Sequence, residues 1–183
     1  MSTKCADNLF SDHQCILQAL EVLRQMCVHV EHDEVVSRGD IYAVLEFFRD
    51  FAHRYQDGKE QSILIPALVA AGLRLREGPL TAIISEHREV HHTIGAMQES
   101  PALEDDEEFV RLATRYRKLL MDHIRQEDRF LFECMSLLLT HEEDDSLLSQ
   151  FEEFEQTLRD IARRHFDRVV EALERKYSNP HSV

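Results

Sequence analysis

Histidine and carboxylate side chains occur in this chain at positions where a helix would normally bury apolar residues. Between residues 116 and 137, side chains spaced three or four apart form one face of a predicted helix. His123 and Glu127 lie in the middle of that face, one turn apart. Burying an imidazole and a carboxylate costs free energy unless another group pairs with them, and a metal ion is one such partner. The apolar members of the face, which we expect to be buried, are Tyr116, Leu120, Phe130, Cys134 and Leu137.

Two earlier predicted helices place histidine on the apolar face in the same way. The first, over about residues 11–36, carries His13 near its N-terminal end. The third begins at about Pro79 and places His87 and His91 side by side on its core face, because they are four residues apart.

The second predicted helix begins after a turn at residues 37–40 and carries inward polar residues of a different kind. Gln56 and Glu60 lie on its apolar face, one turn apart. His53 and Asp57 lie on the flank of the same face. Four consecutive helices therefore each direct at least one metal-binding type of side chain toward the interior.

The remaining pattern predicts an all-α fold. A fourth helix covers about residues 104–139 and a fifth about 145–176, and no segment shows the alternation of a strand. We predict an up-down four-helix bundle with an additional C-terminal helix, in a single domain over residues 1–183. The bundle occupies about residues 9–140, and the C-terminal helix packs over it. Because odd and even helices of such a bundle run in opposite directions, the inward polar residues can lie at one level.

Composition narrows the classes of partner. The chain has 183 residues and a formal net charge of −14, which argues against a nucleic acid or an anionic membrane as partner. Part of this acid lies in Glu104–Glu108 and Glu142–Asp145, where it predicts helix N-termini because acidic side chains complement the helix dipole.

Sequence features also predict a cytoplasmic location. The first ten residues contain no apolar core of an export signal, and the four cysteines form no CxxC pair. We therefore expect reduced thiols in a cytoplasm. The longest apolar run, Ile63–Ala71, is too short to span a bilayer, and it contains Pro66, which should kink or end the second helix.

The inward polar residues together predict a metal site. A single histidine on an apolar face is more often a hydrogen-bonded core residue than a ligand, but such coincidences on four helices at matched depth favour a shared metal. We predict two ions bridged by Glu60 and Glu127, and the mixed nitrogen and oxygen ligands favour Fe or Mn, with Zn as an alternative. The seven residues on buried faces are His13, Gln56, Glu60, His87, His91, His123 and Glu127.

These residues and their surroundings resemble the hemerythrin-like (HHE cation-binding) family over about residues 9–175. The resemblance implies a four-helix bundle with a non-haem di-iron centre. It also implies binding of O2, NO or peroxide, sensing of redox state or iron, or delivery of iron and repair of damaged iron centres. The matching segments are Asp12-His13-Gln14-Cys15-Ile16, Phe51 through Glu60 to Leu68, Glu86-His87 with His91, and His123-Ile124-Arg125-Gln126-Glu127-Asp128 followed by Leu131-Phe132.

Carried over by position, the ligand residues of the family fall on His13, Glu60, His87, His91, His123 and Glu127. The family usually has histidine one turn before the second-helix glutamate, where this chain has Gln56 followed by Asp57. Three arrangements remain as alternatives: Gln56 ligates weakly or through water, His53 or Asp57 moves in from the flank, or one iron keeps an open position. Each of these weakens the case for reversible O2 carriage.

Three further residues have two interpretations each. His91 is either a ligand or a residue that positions a ligand, since some family members have a non-ligand there. Asp128 is an alternative to Glu127, although Glu127 lies better on the helical face. Cys134 is either a small core residue, which we favour, or a redox-active thiol near the iron.

The sequence thus predicts a cytoplasmic di-iron protein that binds O2, NO or peroxide and acts in sensing, iron handling or stress response. A sensing role would need an unidentified signalling partner, and the apolar face of the C-terminal helix would also suit a homodimer. The alternatives are a di-iron oxidoreductase or peroxide-consuming enzyme, and a structural bundle with a mononuclear site.

Overall fold

The computed structural model describes residues 3–74, 79–99, 105–158 and 163–178, with side chains of the last range from residue 166 onward. These ranges contain six helices and no strand. The helices are α1 (Lys4–Glu31), α2 (residues 38–70), α3 (Pro79–Gln98), α4 (Asp106–Leu138), α5 (His141–Thr157) and α6 (Arg163–Tyr177). The segments of α2 follow one another without a break: α-helical Arg38–Phe47, π-helical Phe48–Gln56, α-helical Asp57–Lys59, π-helical Glu60–Leu64 and α-helical Ile65–Ala70.

A side-chain cap sets the start of α1. The side chain of Thr3 accepts a hydrogen bond from the backbone N–H of Ala6, which satisfies one of the free donors of the first turn. The helix therefore begins at Lys4, and the predicted start near residue 11 is wrong.

Caps also explain the starts of α4 and α5. Asp105 accepts from the backbone N–H of Glu108, and Thr140 and Glu143 form a reciprocal capping box. α5 consequently begins at His141, earlier than predicted. Acidic residues occupy the first turns of both helices, which confirms the interpretation of the two acidic runs as helix N-termini.

Contacts between the helices define an up-down bundle. Residues early in α1 and α3 pair with residues late in α4, and the order reverses along each pair of helices. Arg38 at the start of α2 donates to Asp106 at the start of α4, so these two helices run in parallel (3.1 Å). The antiparallel pairs are His13–Asp128 and Leu20–Arg117 between α1 and α4, and Glu86–Gln126 and Glu89–Arg115 between α3 and α4.

The stretch predicted as one C-terminal helix over about residues 145–176 contains two helices. α5 ends before Leu158, whose backbone angles leave the helical region (φ −98°, ψ 39°), and α6 is the next described helix. α6 lies along α1, where Gln18 donates to Glu174 at 2.7 Å. The all-α bundle with additional C-terminal helical cover is confirmed, although the cover is divided.

The two π-helical segments of α2 lie at the level of the predicted site. A π turn contains an extra residue, so it rotates the following side chains relative to a regular α-helix, and such turns are frequent at functional sites. Pro66 lies two residues beyond the end of the second segment at Leu64, and α2 continues to Ala70, so Pro66 does not end the helix. The buried polar side chains of these turns are His53, Gln56 and Glu60, and Asp57 is buried in the short α-helical segment between them.

Apolar side chains of the described residues form two clusters with one polar layer between them. On each of the four bundle helices, the polar layer lies between a residue of the first cluster and a residue of the second. The flanking members of the first cluster are Ile16, Tyr55, Val90 and Leu120. Those of the second cluster are Leu9, Leu64, Ile83 and Leu131.

The apolar face of α4 differs from its prediction at the C-terminal end. Leu137 is 74% exposed, so its predicted burial is wrong, whereas Leu131 and Met135 are buried. A repeat of three and four residues averages 3.5 and drifts by about 20° per heptad from a straight α-helix. Over three heptads from Tyr116 this drift turns the predicted face away from the core.

One face of the apolar run Ile63–Ala71 packs inside the bundle. Leu64, Ile65 and Leu68 belong to the second apolar cluster. No helix in the described part of the chain is both long enough and apolar enough to cross a membrane.

Candidate metal centre

The polar layer contains six side chains from four helices, each at most 3% exposed. α1 and α3 supply one residue each, and α2 and α4 supply two each. Burial of this many ionisable groups at one level is costly without compensating charge. The six are His13, Asp57, Glu60, His87, His123 and Glu127.

Glu60 and Glu127 occupy the centre of the layer, and each presents its two oxygens to opposite sides. Glu60 Oε1 lies 3.8 Å from His13 Nε2, and Glu60 Oε2 lies 3.6 Å from His87 Nε2. Glu127 Oε2 lies 3.5 Å from His13 Nε2. Glu127 Oε1 lies 3.0 Å from His87 Nε2 and 2.9 Å from His123 Nε2. Carboxylates divided in this way are suited to bridge two cations.

On one side of these carboxylates, His13 and Gln56 complete a donor set. We call His13, Gln56, Glu60 and Glu127 the His13 lobe. Gln56 Nε2 lies 2.9 Å from His13 Nε2. A 180° rotation of the amide exchanges its nitrogen and oxygen, so Gln56 can present either atom to this point. Gln56 is thus placed where a ligand would be needed, with a neutral oxygen in place of an imidazole.

On the other side, Asp57 joins two histidines. We call Asp57, His87 and His123, with Glu60 and Glu127, the His87–His123 lobe. Asp57 Oδ1 lies 3.7 Å from His87 Nε2, and the two imidazole rings are 4.5 Å apart. Asp57, predicted to lie on the flank, therefore faces this lobe, while His53 does not.

Bonds on the outer ring nitrogens orient the three inward histidines. Each Nδ1 has a polar partner, which directs Nε2 toward the bridging carboxylates. Asp128 is one of these partners, so Glu127 and not Asp128 supplies the carboxylate of the layer. The pairs are His13 Nδ1–Asp128 Oδ1 at 2.7 Å, His123 Nδ1–Glu86 Oε2 at 3.1 Å and His87 Nδ1–Gln61 Nε2 at 2.9 Å.

Unpartnered atoms test whether the layer fits a metal. Among the described residues, four buried side-chain atoms form no hydrogen bond, and all four belong to this layer; His123 Nε2 is one of them, because its 2.9 Å approach to Glu127 Oε1 lacks hydrogen-bond geometry. Each such atom costs about 1–3 kcal/mol, a cost that coordination to a cation would remove. Imidazole nitrogen and carboxylate oxygen are ligands that first-row transition metals accept. The residues of the layer therefore fit the coordination of a metal ion. The atoms are Glu60 Oε1, Glu60 Oε2, His123 Nε2 and Glu127 Oε2.

Protons compensate the carboxylates when no metal is bound. Burial opposes charge on His13, but hydrogen bonds and charges of the neighbouring carboxylates raise its pKa to about 10. Against the same opposing burial, the carboxylates raise the pKa of His87 to about 11 and that of His123 to about 9. Burial and the charge of Glu60 raise the pKa of Glu127. The layer therefore requires positive charge.

His53 and His91 lie outside the polar layer and contact it through Asp57. The His91 side chain is 44% exposed, so its predicted place on the core face beside His87 is wrong. Its Nε2 bonds to Asp57 Oδ2 at 2.8 Å, and His53 Nδ1 lies 3.1 Å from the same oxygen. Tyr116 Oη lies 3.0 Å from His53 Nε2. We call His53, Asp57 and His91 the outer triad.

Sequence reasoning missed the residues that support the inward side chains. Lys59 is fully buried, and its ammonium donates to Asp12 at 2.5 Å and to Glu155 at 2.9 Å. A usable signal was present, because several of these supporting residues stand directly beside a predicted ligand in the sequence. These neighbours are Asp12 before His13, Lys59 before Glu60, Gln61 after Glu60, Glu86 before His87 and Asp128 after Glu127.

The fold and the buried layer define a helical metal-binding protein, and comparison with known families agrees. The sequence model of the Hemerythrin HHE cation binding domain matches residues 6–135, which include the whole polar layer. The chain belongs to this family, as the resemblance predicted, and is a metal-binding protein. α5 and α6 lie outside the matched residues. No curated protein and no solved structure gives a significant match.

Proposed function

We propose that this protein holds two iron ions in the polar layer and uses them to bind O2, NO or peroxide. One ion would be held by the His13 lobe and the other by the His87–His123 lobe. Glu60 and Glu127 would bridge them, and Mn or Zn are the alternative metals. The observation that carries this proposal is that the four unpartnered buried atoms all point into the two lobes.

The histidine ligands are already oriented in the absence of metal. Asp128 and Glu86 accept from the Nδ1 atoms of His13 and His123, which fixes the ring orientation and makes the imidazoles better donors. The apolar clusters on both sides of the layer limit access of water. Iron, when bound, supplies redox chemistry and coordination positions for a small ligand.

Gln56 makes the two lobes unequal. A neutral amide oxygen binds a cation less strongly than imidazole or carboxylate, so the ion of the His13 lobe would be held less firmly. Such an ion accepts an external ligand, or exchanges, more easily. This inequality favours sensing, iron handling or stress response over reversible O2 carriage.

The location and partners follow from the same proposal. All four cysteines are buried and form no disulfide, which suits the reducing cytoplasm. A sensor of this kind would pass its signal to a partner protein or through a homodimer.

NO binding tests the proposed function directly. Metal-free protein would be loaded anaerobically with Fe²⁺ and titrated with NO, with absorption and electron paramagnetic resonance spectra recorded. We expect a saturable spectral change that the Glu127→Ala variant loses. The Glu133→Ala variant is the matched control, because Glu133 is an exposed glutamate of the same helix. Spectra of the iron-loaded protein that NO leaves unchanged would contradict the proposal.

The Gln56→His variant tests the inequality of the lobes. Histidine would give the His13 lobe a stronger ligand, so we expect slower loss of iron to a chelator. Equal release of iron from Gln56→His and the wild type would show that Gln56 does not limit this lobe.

A further inference from the structure

We propose that the outer triad forms a third site for a divalent transition-metal ion, which receives ions from solvent and shares Asp57 with the buried pair. The proposal rests on the proposed function in one respect: if the buried layer also holds metal, each carboxylate oxygen of Asp57 faces a different metal site. We call it the outer site.

The triad has the donor set of a metal site. His91 Nε2 and His53 Nδ1 converge on Asp57 Oδ2 at 2.8 and 3.1 Å, and the two rings are 4.2 Å apart. One ligand atom of each residue lies within 4.8 Å of the other two. Two imidazole nitrogens and one carboxylate oxygen bind Zn²⁺, Fe²⁺ or Mn²⁺ and leave the remaining positions to water.

The carboxylate of Asp57 connects this triad to the buried layer. Its Oδ2 faces His53 and His91, whereas its Oδ1 lies 3.7 Å from His87 Nε2. An ion at the outer site is therefore separated from the His87–His123 lobe by a single carboxylate.

Exposure distinguishes the outer site from the buried pair. The side chains of the layer are at most 3% exposed, but that of His91 is 44% exposed. His53 and His91 line an open cavity of about 560 Å³. Arg49 and Arg54 also line it, but both lie near Asp50, at 2.7 and 3.9 Å, which offsets their repulsion of a cation. An ion can thus reach His91 from solvent while the layer stays closed.

The proton on His53 can be placed to suit a metal. Binding through Nδ1 requires the ring proton on Nε2, 3.0 Å from Tyr116 Oη. A tyrosine hydroxyl accepts a hydrogen bond as well as donating one, so Tyr116 can stabilise this tautomer. The competing explanation is that His53 and His91 only orient Asp57.

Metal counting separates these explanations. Metal-free wild type, His91→Ala and His92→Ala would be titrated with Zn²⁺ in competition with a chromophoric chelator. His92 is the matched control because it is the next residue of α3 and is exposed. We expect three ions in the wild type and in His92→Ala, the third bound at least about tenfold more weakly, and two in His91→Ala. Equal counts and affinities in all three proteins would overturn the outer site.

A second measurement covers the case in which His91→Ala disturbs Asp57 and so empties a buried lobe. Anomalous scattering from crystals soaked in Zn²⁺ would locate each ion. A peak about 2.0–2.2 Å from His91 Nε2 and Asp57 Oδ2 would support the proposal. Filled buried lobes without that peak, or no peak anywhere, would overturn it. An outer peak beside empty buried lobes would contradict the proposed function and leave the outer site standing.

Discussion

Three carboxylates of the layer, those of Asp57, Glu60 and Glu127, lie buried in the interior between two apolar clusters. Their charges are tolerable only if cations lie beside them. In the metal-free protein these cations are protonated histidines, and in the loaded protein they would be metal ions. A proton and a metal ion therefore compete for the same imidazole nitrogens.

This competition predicts that the stabilities of the metal-free and the metal-loaded protein depend on pH in opposite directions. The pKa values of His13, His87 and His123 are raised to about 10, 11 and 9, from about 6.5 when unfolded. Their stabilisation of the metal-free fold is complete below about pH 6.5 and is lost as pH rises through about 9 to 11. Metal requires the deprotonated rings, so loaded protein gains stability as pH rises toward 6.5 and keeps it above. The difference in Tm between the two forms should widen from about pH 6 to about pH 9. A constant or narrowing difference by calorimetry would contradict this.

Removal of a central ligand should directly reduce the number of metal ions bound per chain. Glu60→Ala removes a proposed bridging carboxylate, and His123→Ala removes an imidazole whose Nε2 forms no hydrogen bond, so each should abolish binding of the second ion. Metal analysis after dialysis would measure this, with exposed Glu133→Ala as the control. Unchanged metal content in both variants would refute the assignment of the layer.

At the scale of elements, two adjacent residues of α2 fix its neighbours at the level of the layer. Lys59 joins α2 to α1 through Asp12 and to α5 through Glu155. Gly58 lets α5 approach, since a Cβ there would lie 2.8 Å from Cζ of Phe154. The positions of three helices around Glu60 thus depend on one buried charge and one missing side chain.

Loss of the buried Lys59 ammonium should strongly reduce the free energy of unfolding. Lys59→Met leaves the Asp12 carboxylate buried without its lysine, and breaking a buried pair costs about 3–5 kcal/mol. Urea unfolding of the metal-free protein would measure the free energy of unfolding. Exposed Lys118→Met is the control. A loss below about 1 kcal/mol in Lys59→Met would mean that this charge does not hold the helices.

Gly58→Ala should show the close approach of α5. Alanine favours a helix by about 1 kcal/mol, but displacing the Phe154 ring opposes that gain by about 1–3 kcal/mol. We expect Gly58→Ala to destabilise the wild type and to stabilise the Phe154→Ala variant. The same sign of change in both backgrounds, measured by urea unfolding, would exclude the steric explanation.

At the scale of the whole molecule, the sequence predicts the bundle and most of the layer because both depend on one helical repeat. His13, Glu60, His87 and Glu127 break an apolar face, and such breaks are visible without coordinates. Supporting contacts such as Glu86 with His123 join different helices, so helical spacing cannot show them.

Backbone changes account for the remaining differences. A π turn depends on which carbonyl each N–H selects, so helical spacing placed Asp57 on the flank, and its approach to the layer was only one of three alternatives. The drift of a 3.5-residue repeat exposed Leu137, and His91 lies at the edge of its helix face. The break near Leu158 carries no glycine or proline signal.

The most direct test of the central claim is the metal content of protein purified anaerobically and loaded with Fe²⁺. We expect two irons per chain after removal of loosely bound metal, with an iron-dependent absorption change when air is admitted. One iron would mean that Gln56 has reduced the centre to a mononuclear site. No retained iron would contradict the claim that the buried layer is a metal centre.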